Sequence, residues 1–335
     1  MSTIRDVAKR AGVAISTVSA VINRSAPTSN HVIARVEQAI AEIGYAPQRA
    51  AQTLRSGRSK LVGVIVPDIT NPHFSALARV VETECLKAGY MTFVYNTDED
   101  TEHEMHILRM MRSQRVAGII LISTRSDSRH GRRLRAEINV PTVLMGSSVA
   151  GTPYDFVALD DVAAGRMAAA RLLELGHRRI LVIGGRPGVS SHESRLNGCR
   201  MAFKERGLDL AEDQVGLARF TAARAYEETC RRMSAPSPPT AIVSLSNFMT
   251  LGVIRALAAL KLACPGQVSF IGVDDLDWAD IMRPRPTLIA QPIEDMTRTA
   301  IATLLEQAAT SSEPAARKLL FAPRLVERES CAPPG

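Results

Sequence analysis

TIRDVAKRAGVAISTVSAVIN, residues 3–23, carries two short helical patterns with a glycine between them. Thr3 is placed to cap the first helix, and Asp6, three residues on, completes a capping-box-like pair. Ile4, Val7, Ala8 and Ala11 then recur at helical spacing on one face. Gly12 suits the left-handed residue that follows a helix end. Ser16 is the expected cap of the second helix, whose inner face is Val18, Val21 and Ile22. Residues 31–55, HVIARVEQAIAEIGYAPQRAAQTLR, add a third helix and a proline-started fragment. Ser29 is the expected cap of that helix, Val32, Val36, Ala39, Ile40 and Ile43 are its inner face, and Gly44 ends it. Inner faces this small fold only by packing on one another, so the three helices form one miniature core. The layout is that of a helix-turn-helix DNA reader.

Charge separates this head from the rest of the 335 residues. Residues 1–60 hold nine Lys and Arg (Arg5, Lys9, Arg10, Arg24, Arg35, Arg49, Arg55, Arg58, Lys60) against three acids (Asp6, Glu37, Glu42). The net charge of +7 is therefore almost all in the head, and the body is nearly neutral. A basic head on a neutral body fits phosphate binding by the head alone.

The stretch TIRDVAKRAGVAISTVSAVIN followed by GYAPQRAAQTLRSGRS (44–59) resembles the DNA-binding domain of the lactose-repressor family, LacI/GalR. The resemblance runs on to about residue 325. It implies that bases are read by Ile15, Ser16 and Ala20, with Thr17 and Ser19 near phosphates and Thr3 and Asn23 completing the DNA-binding set. Ala20 departs from many relatives, which place Arg there; alanine offers only a methyl contact in place of a bidentate contact to guanine. In the family the segment 44–58 is a hinge that folds on operator DNA and places a leucine wedge in the minor groove. The matching residue is Leu54, flanked by Arg49, Arg55 and Arg58. Pro47 suits the first position of a short helix, and an apolar wedge unstacks a base step to bend the duplex.

From Leu61 onward short apolar runs alternate with helical patterns. LVGVIVP, MTFVYNT, AGIILIS, TVLMG, FVALD, RILVIGG, TAIVSLS, VSFIGVD and TLIAQP read as strands. Helices are expected near 74–88, 101–114, 163–175, 194–206, 223–233, 247–261 and 293–308. Such alternation predicts parallel sheets covered on both faces. The fold class expected is an all-α helix-turn-helix head plus an α/β body of two doubly wound parallel-sheet subdomains. The resemblance implies a body like a periplasmic sugar-binding protein, with the ligand between the subdomains. The expected boundaries are 1–46 for the DNA-binding domain and 47–60 for the hinge. The first subdomain spans 61–160 and is completed by 290–325, the second spans 161–289, and 326–335 is a flexible tail.

The cleft residues expected from the resemblance are few. PDITNPHF (67–74) supplies His73 and Phe74, and RLNGCRMAF (195–203) supplies Arg195, whose planar fork binds adjacent hydroxyls or a carboxylate. Phe220 matches an aromatic that flanks the effector. Asn247 lies in SLSNFMTLG and the acidic Asp274 in FIGVDDLDWAD, where Trp278, the single tryptophan, offers a face on which a sugar ring stacks.

Other classes find little support. GGRPG (184–188) follows a strand but lacks the spacing of a phosphate-binding glycine loop. The seven histidines show no metal-ligand spacing, and Cys85, Cys199, Cys230, Cys264 and Cys331 are scattered without a CxxC pair. No apolar run reaches the roughly 20 residues of a membrane span, and the N-terminus reads as a capped polar helix rather than a secretory signal. The expectation is a cytoplasmic, homodimeric, effector-responsive transcriptional repressor of double-stranded operator DNA. It would act without cofactor, metal, membrane or turnover, and its effector would be a carbohydrate. A periplasmic solute receptor would need a secretion signal and no basic head; a nucleotide-dependent enzyme would need residues to drive turnover.

Overall fold

The computed structural model describes residues 2–23, 26–45, 59–310 and 316–335, and the chain divides into two compact units between Ser59 and Lys60. The hinge residues Arg49, Leu54 and Arg55 lie outside the described residues.

The first unit holds α1 (Ile4–Ala11), α2 (Ile15–Asn23) and α3 (Asn30–Ile43). The capping box expected at Thr3 is formed. Its hydroxyl accepts from the Asp6 amide at 3.4 Å, and the Asp6 carboxylate accepts from the Thr3 amide at 2.8 Å. The Thr3 amide and, at 2.8 Å, the Thr3 hydroxyl both donate to the Asp6 carboxylate, the main-chain bond the larger, and hold it below its ordinary range. Gly12 ends α1 at φ 62° and Gly44 ends α3 at φ 61°, the left-handed conformation that side chains with a Cβ resist. Val7, Ala8, Ala11, Val18, Val36 and Ala39 form the buried core. Two expected caps differ. α2 starts two residues early, the Ala14 carbonyl accepts the Thr17 and Val18 amides, and Ser16 lies inside the first turn. Ser29 does occupy the cap position of α3, but its hydroxyl makes no capping bond. Arg35 ties α3 to the end of α1 through the Ala11 carbonyl at 2.5 Å.

The second unit contains two six-stranded sheets. β1 (Leu61–Val66), β2 (Met91–Asn96), β3 (Gly118–Leu121), β4 (Thr142–Met145), β5 (Asp155–Leu159) and β11 (Lys318–Phe321) form the first, in the order β11-β5-β4-β3-β1-β2. β6 (Ile180–Gly184), β7 (Val215–Leu217), β8 (Ala241–Ser244), β9 (Ser269–Val273), β10 (Thr287–Ala290) and β12 (Arg324–Val326) form the second, in the order β12-β10-β9-β8-β6-β7. All pairings are parallel except that of β12 with β10. The central strands β3, β4, β6, β8 and β9 are buried along their whole length, as parallel strands covered on both faces must be.

The connecting helices are α4 (Pro72–Lys87), α5 (Thr101–Ser113), α6 (Ser128–Glu137), α7 (Asp161–Glu174), α8 (Ser190–Lys204), α9 (Ala222–Met233), α10 (Asn247–Ala259) and α11 (Ile293–Ala309). Helix α6 and strands β7, β11 and β12 are additions to the sequence reading. The chain leaves the first sheet after β5, returns with α11 and β11, and ends in the second sheet with β12. The stretch 290–325, expected whole in the first subdomain, is thus divided, because β12 covers the otherwise open edge of β10. Nor is the expected tail loose. The Ser330 carbonyl accepts from the Phe270 amide at 2.8 Å, the Ala332 amide donates to Ser269 Oγ at 3.0 Å, and His177 Nε2 meets the Ala332 carbonyl at 2.9 Å. These bonds satisfy backbone and side-chain polar groups along β9.

Helices α7 and α8 approach closely through two glycines. A Cβ on Gly165 would lie 1.8 Å from the Arg195 carbonyl oxygen, and one on Gly198 would lie 2.1 Å from that of Val162. Backbone cannot yield as a flexible side chain does. Gly165→Ala is therefore expected to cost about 1–3 kcal/mol by overpacking, read as a lower denaturant midpoint.

Candidate functional site

In the head, α2 buries Val18 and half-buries Val21 and Ile22, which leaves its other side outward. Ile15 is 45% exposed, an unusual place for a large apolar side chain, and Ser16 beside it is exposed as well. Thr17, Ser19 and Ala20 are half-buried. Thr3 is exposed, with its hydroxyl engaged in the cap. Asn23 closes the helix; its side chain is outside the described residues. No acidic residue stands in the first turn of α2. Its N-terminal amides and dipole are therefore not offset by a carboxylate of that turn, which suits an approaching phosphate. Arg5 and Lys9 are exposed, whereas Arg10 is paired with Glu42.

In the body, a cleft of about 990 Å³ opens between the two sheets. The carboxyl ends of β1 through β10 all feed it, the expected place for a ligand in open α/β sheets. Pro67 and Asp68 follow β1, Glu99 follows β2 and Thr124 follows β3. Arg186 follows β6, Phe220 follows β7, Ser246 follows β8, Asp274 follows β9 and Gln291 follows β10.

Of the expected cleft residues, His73, Phe74, Arg195, Phe220 and Asp274 line it. Asn247 stands just behind, bridging the subdomains through its Nδ2, which donates to Asn71 Oδ1 at 2.7 Å. Trp278 does not line it. The turn Asp277–Asp280 that carries Trp278 is anchored by Arg328, which pairs with Asp275 at 2.8 Å and Asp280 at 3.3 Å. Phe248 supplies the second-sheet aromatic beside Phe220 instead.

The floor of the cleft is a charge network. Arg195, 8% exposed, donates through Nε to Asp161 Oδ1 at 2.7 Å and through Nη1 to the Leu245 carbonyl at 2.6 Å. Burial works against its charge, but Asp161 and Asp274 together outweigh burial and raise its pKa. Burial pushes Asp161 up to about 6, with Arg195 opposing. Asp274 accepts from the Gln291 side-chain amide and, at 3.3 Å, from the Asn247 amide. His73 Nδ1 lies 3.8 Å from Asp274, and burial lowers the His73 pKa, so the ring is neutral at pH 7. Among the described residues, three buried polar atoms in and behind this wall have no hydrogen-bond partner: His73 Nδ1, Arg186 Nε and Asn247 Oδ1.

Backbone strain is concentrated here. Phe220 and Asp274 hold φ values of 61° and 76°, a conformation costly for residues with a Cβ and common at ligand sites. Within GGRPG, a Cβ on Gly185 would lie 2.2 Å from the Phe220 ring. That glycine accommodates the aromatic rather than a phosphate.

The rim is latched by bonds across the subdomains. Arg186 donates to the Thr124 carbonyl at 2.9 Å and faces Glu99 at 3.4 Å. The Ser190 amide donates to Ser126 Oγ at 2.9 Å, and the Ser148 amide to Ser190 Oγ at 2.8 Å. Asp161, Arg186, Gln291 and Phe248 were missed from sequence. A buried Arg195 does demand a carboxylate, and the acidic pair Asp160–Asp161 at the start of α7 was the available signal.

Asp161 has a pH consequence. Its folded-state pKa, about 6, lies above the ordinary 3.8, so the fold favours the protonated form. Its contribution to stability is full below about pH 4 and is lost as pH rises through about 6. Asp161→Asn is expected to flatten that part of the stability profile, measured by calorimetry between pH 4 and 7.

Comparison with known proteins follows this division. Residues 3–48 match the family described as bacterial regulatory proteins, lacI family, and residues 169–331 match a periplasmic binding protein-like domain. The ribose operon repressor of Escherichia coli K12 is 32% identical, over 98% of this chain and 100% of its own. The lac repressor dimer bound to operator and the anti-inducer ONPF superposes with a TM-score of 0.87 at 25% identity, covering 98% of both chains. The complex of the transcriptional regulator CelR with cellobiose superposes at 0.74 and 28% identity, covering 99% of this chain and 100% of that one. Among the described residues no helix is long and apolar enough to cross a membrane.

Proposed function

The chain belongs to the LacI family of bacterial regulatory proteins, and from that premise we propose that it is a cytoplasmic repressor governed by a carbohydrate effector. Two copies present two heads to a pseudo-palindromic operator. Edge strand β2 exposes Met91, Phe93 and Val94 in the single chain, apolar area that a second copy would cover. Ile15 and Ser16 at the outward start of α2 read bases, with Thr17 and Ser19 at phosphates. Leu54 takes the role of minor-groove wedge, and Arg49 and Arg55 that of phosphate contacts.

The observation that carries the effector assignment is the set of unpartnered atoms in the cleft wall and at its rim. A ring of hydroxyls would supply both donors and acceptors to His73 Nδ1, Arg186 Nε and Asn247 Oδ1. Phe74, Phe220 and Phe248 offer apolar faces for the ring's carbon side. Its relatives, a ribose operon repressor and a regulator in complex with cellobiose, point the same way. Binding at the two cleft walls biases how the subdomains meet, and so the spacing of the hinges on DNA. The protein binds its effector without turning it over.

A thermal-shift screen of pentoses, hexoses and disaccharides tests this reading; a ligand at 100 times its dissociation constant stabilises by roughly 2.7 kcal/mol. Asp274→Ala is expected to bind operator normally yet lose about 1–3 kcal/mol of ligand affinity, with no switching. Conversion of the sugar to product, or normal switching in that variant, would overturn the proposal.

A further inference from the structure

The body is nearly neutral overall, yet residues 125–135 hold five arginines, Arg125, Arg129, Arg132, Arg133 and Arg135, against the single acid Asp127. This run forms the start of α6. An opening of about 530 Å³ lies where the first turns of α5 and α6 meet. Its lining is Thr101, Arg125, Asp127, Arg129, His130 and Arg133.

Behind it sits a polar cluster that the cleft does not use. Glu104 is fully buried and accepts from the Thr124 amide at 2.7 Å and from Ser123 Oγ at 3.2 Å. His130, 3% exposed, faces the same carboxylate through Nε2 at 2.7 Å. Its other ring nitrogen, Nδ1, is buried with no hydrogen-bond partner. With Nε2 on a carboxylate, Nδ1 is left as the unpaired ring nitrogen of a residue that lines the opening. With Nε2–H given to the carboxylate, Nδ1 is an acceptor for the hydroxyl of a protonated oxyanion.

The surrounding charges leave a cationic surplus. Arg133 pairs with Glu102 at 2.7 Å, and Arg125 meets Asp127 only at 3.7 Å. One oxygen of Asp127 is held by the His130 amide at 2.9 Å. Asp100 is likewise turned to the Glu102 and His103 amides of α5. Arg129 is exposed, and no ion pair among the described residues involves it. An anion small enough to enter would meet the Arg129 guanidinium and the His130 ring, with Arg125 released from a long, weak pair.

We propose that this opening is a binding site for a phosphate-class oxyanion, held by Arg129, Arg125 and His130 Nδ1 and distinct from the effector cleft. A planar guanidinium matches phosphate oxygens in pairs, which a lone lysine does not. The site shares its inner wall with the cleft, because Glu104 holds the Thr124 amide while the Thr124 carbonyl receives Arg186.

The test is calorimetry on the full chain in phosphate-free buffer, with inorganic phosphate titrated against sodium chloride of matched ionic strength. Saturable binding of phosphate is expected in the wild type and unchanged in Asp274→Asn. Arg129→Glu is expected to weaken it roughly tenfold or more, the scale of one charge-assisted hydrogen bond. A parallel titration with glycerol 3-phosphate separates the sources: tighter binding identifies a phosphate monoester as the occupant, and weaker binding identifies free phosphate. Because His130 replacement could unfold the Glu104 cluster, its role is read in the wild type, where phosphate is expected to move the ¹⁵N resonance of His130 Nδ1. No saturable heat beyond chloride, equal binding by Arg129→Glu, loss of binding in Asp274→Asn, or an unmoved Nδ1 resonance would each overturn the assignment.

Discussion

Replacing Arg195 by alanine is expected to lower the stability of the body by about 3–5 kcal/mol at pH 7, the usual cost of breaking a buried ion pair. The physical reason is Asp161, left with its charge buried and without its 2.7 Å partner. The loss is expected to shrink at pH 5, because Asp161, with a pKa of about 6, then already carries a proton. Urea midpoints of both proteins at pH 7 and pH 5 check this. Equal losses at the two pH values would show that Asp161 does not bear the cost. The same geometry makes Arg195→Ala a poor probe of ligand recognition, since its effect mixes folding with binding. Asp274 is the cleaner target. It has other donors, and its pairing with His73 is long at 3.8 Å.

Removing residues 1–58 is expected to abolish operator binding altogether while leaving a folded, ligand-binding body. The body is a compact unit by itself, beginning at Lys60. Its charge is close to balanced, so little remains to hold phosphates once the head is gone. With the full chain, operator affinity is expected to fall steeply with salt, by about 0.9 in log–log slope for each phosphate neutralised. Fluorescence anisotropy with a labelled operator at several salt concentrations measures both effects. Unchanged affinity of the truncated chain would overturn the assignment of DNA binding to the head.

What was legible from sequence follows the strength of local signals. The helices of the head announce themselves because capping box, apolar spacing and terminal glycine all agree at Thr3, Val7 and Gly12. The body strands stand out because parallel strands buried on both faces need unbroken apolar runs, such as LVGVIV and ILVIG. Helix α6 escaped because SRHGRRLRAE has no apolar stripe; it buries His130, Gly131 and Leu134 and is held by the Asp127 cap. β11 and β12 escaped because edge strands are short and only half-buried. Ser16 misled because a hydroxyl near a helix start resembles a cap whether or not the helix begins there.

The site divides in the same way. His73, Phe74, Arg195, Phe220 and Asp274 were named from the family resemblance at short motifs, and all five line the cleft. Trp278 was named by type and position, yet it does not line the cleft, and its turn is anchored by Arg328, fifty residues further on. Sequence by itself determined the basic head, the strand–helix alternation and the helix-turn-helix pattern. These depend on residues within a few positions of one another, where propensity and spacing act directly. Tertiary structure decided that Asp161 neutralises Arg195, that Arg186 latches the rim and that His130 is left with an unpartnered nitrogen. Those are energies of burial and pairing between residues 26 to 62 positions apart, and they exist only once the chain has excluded water from between them.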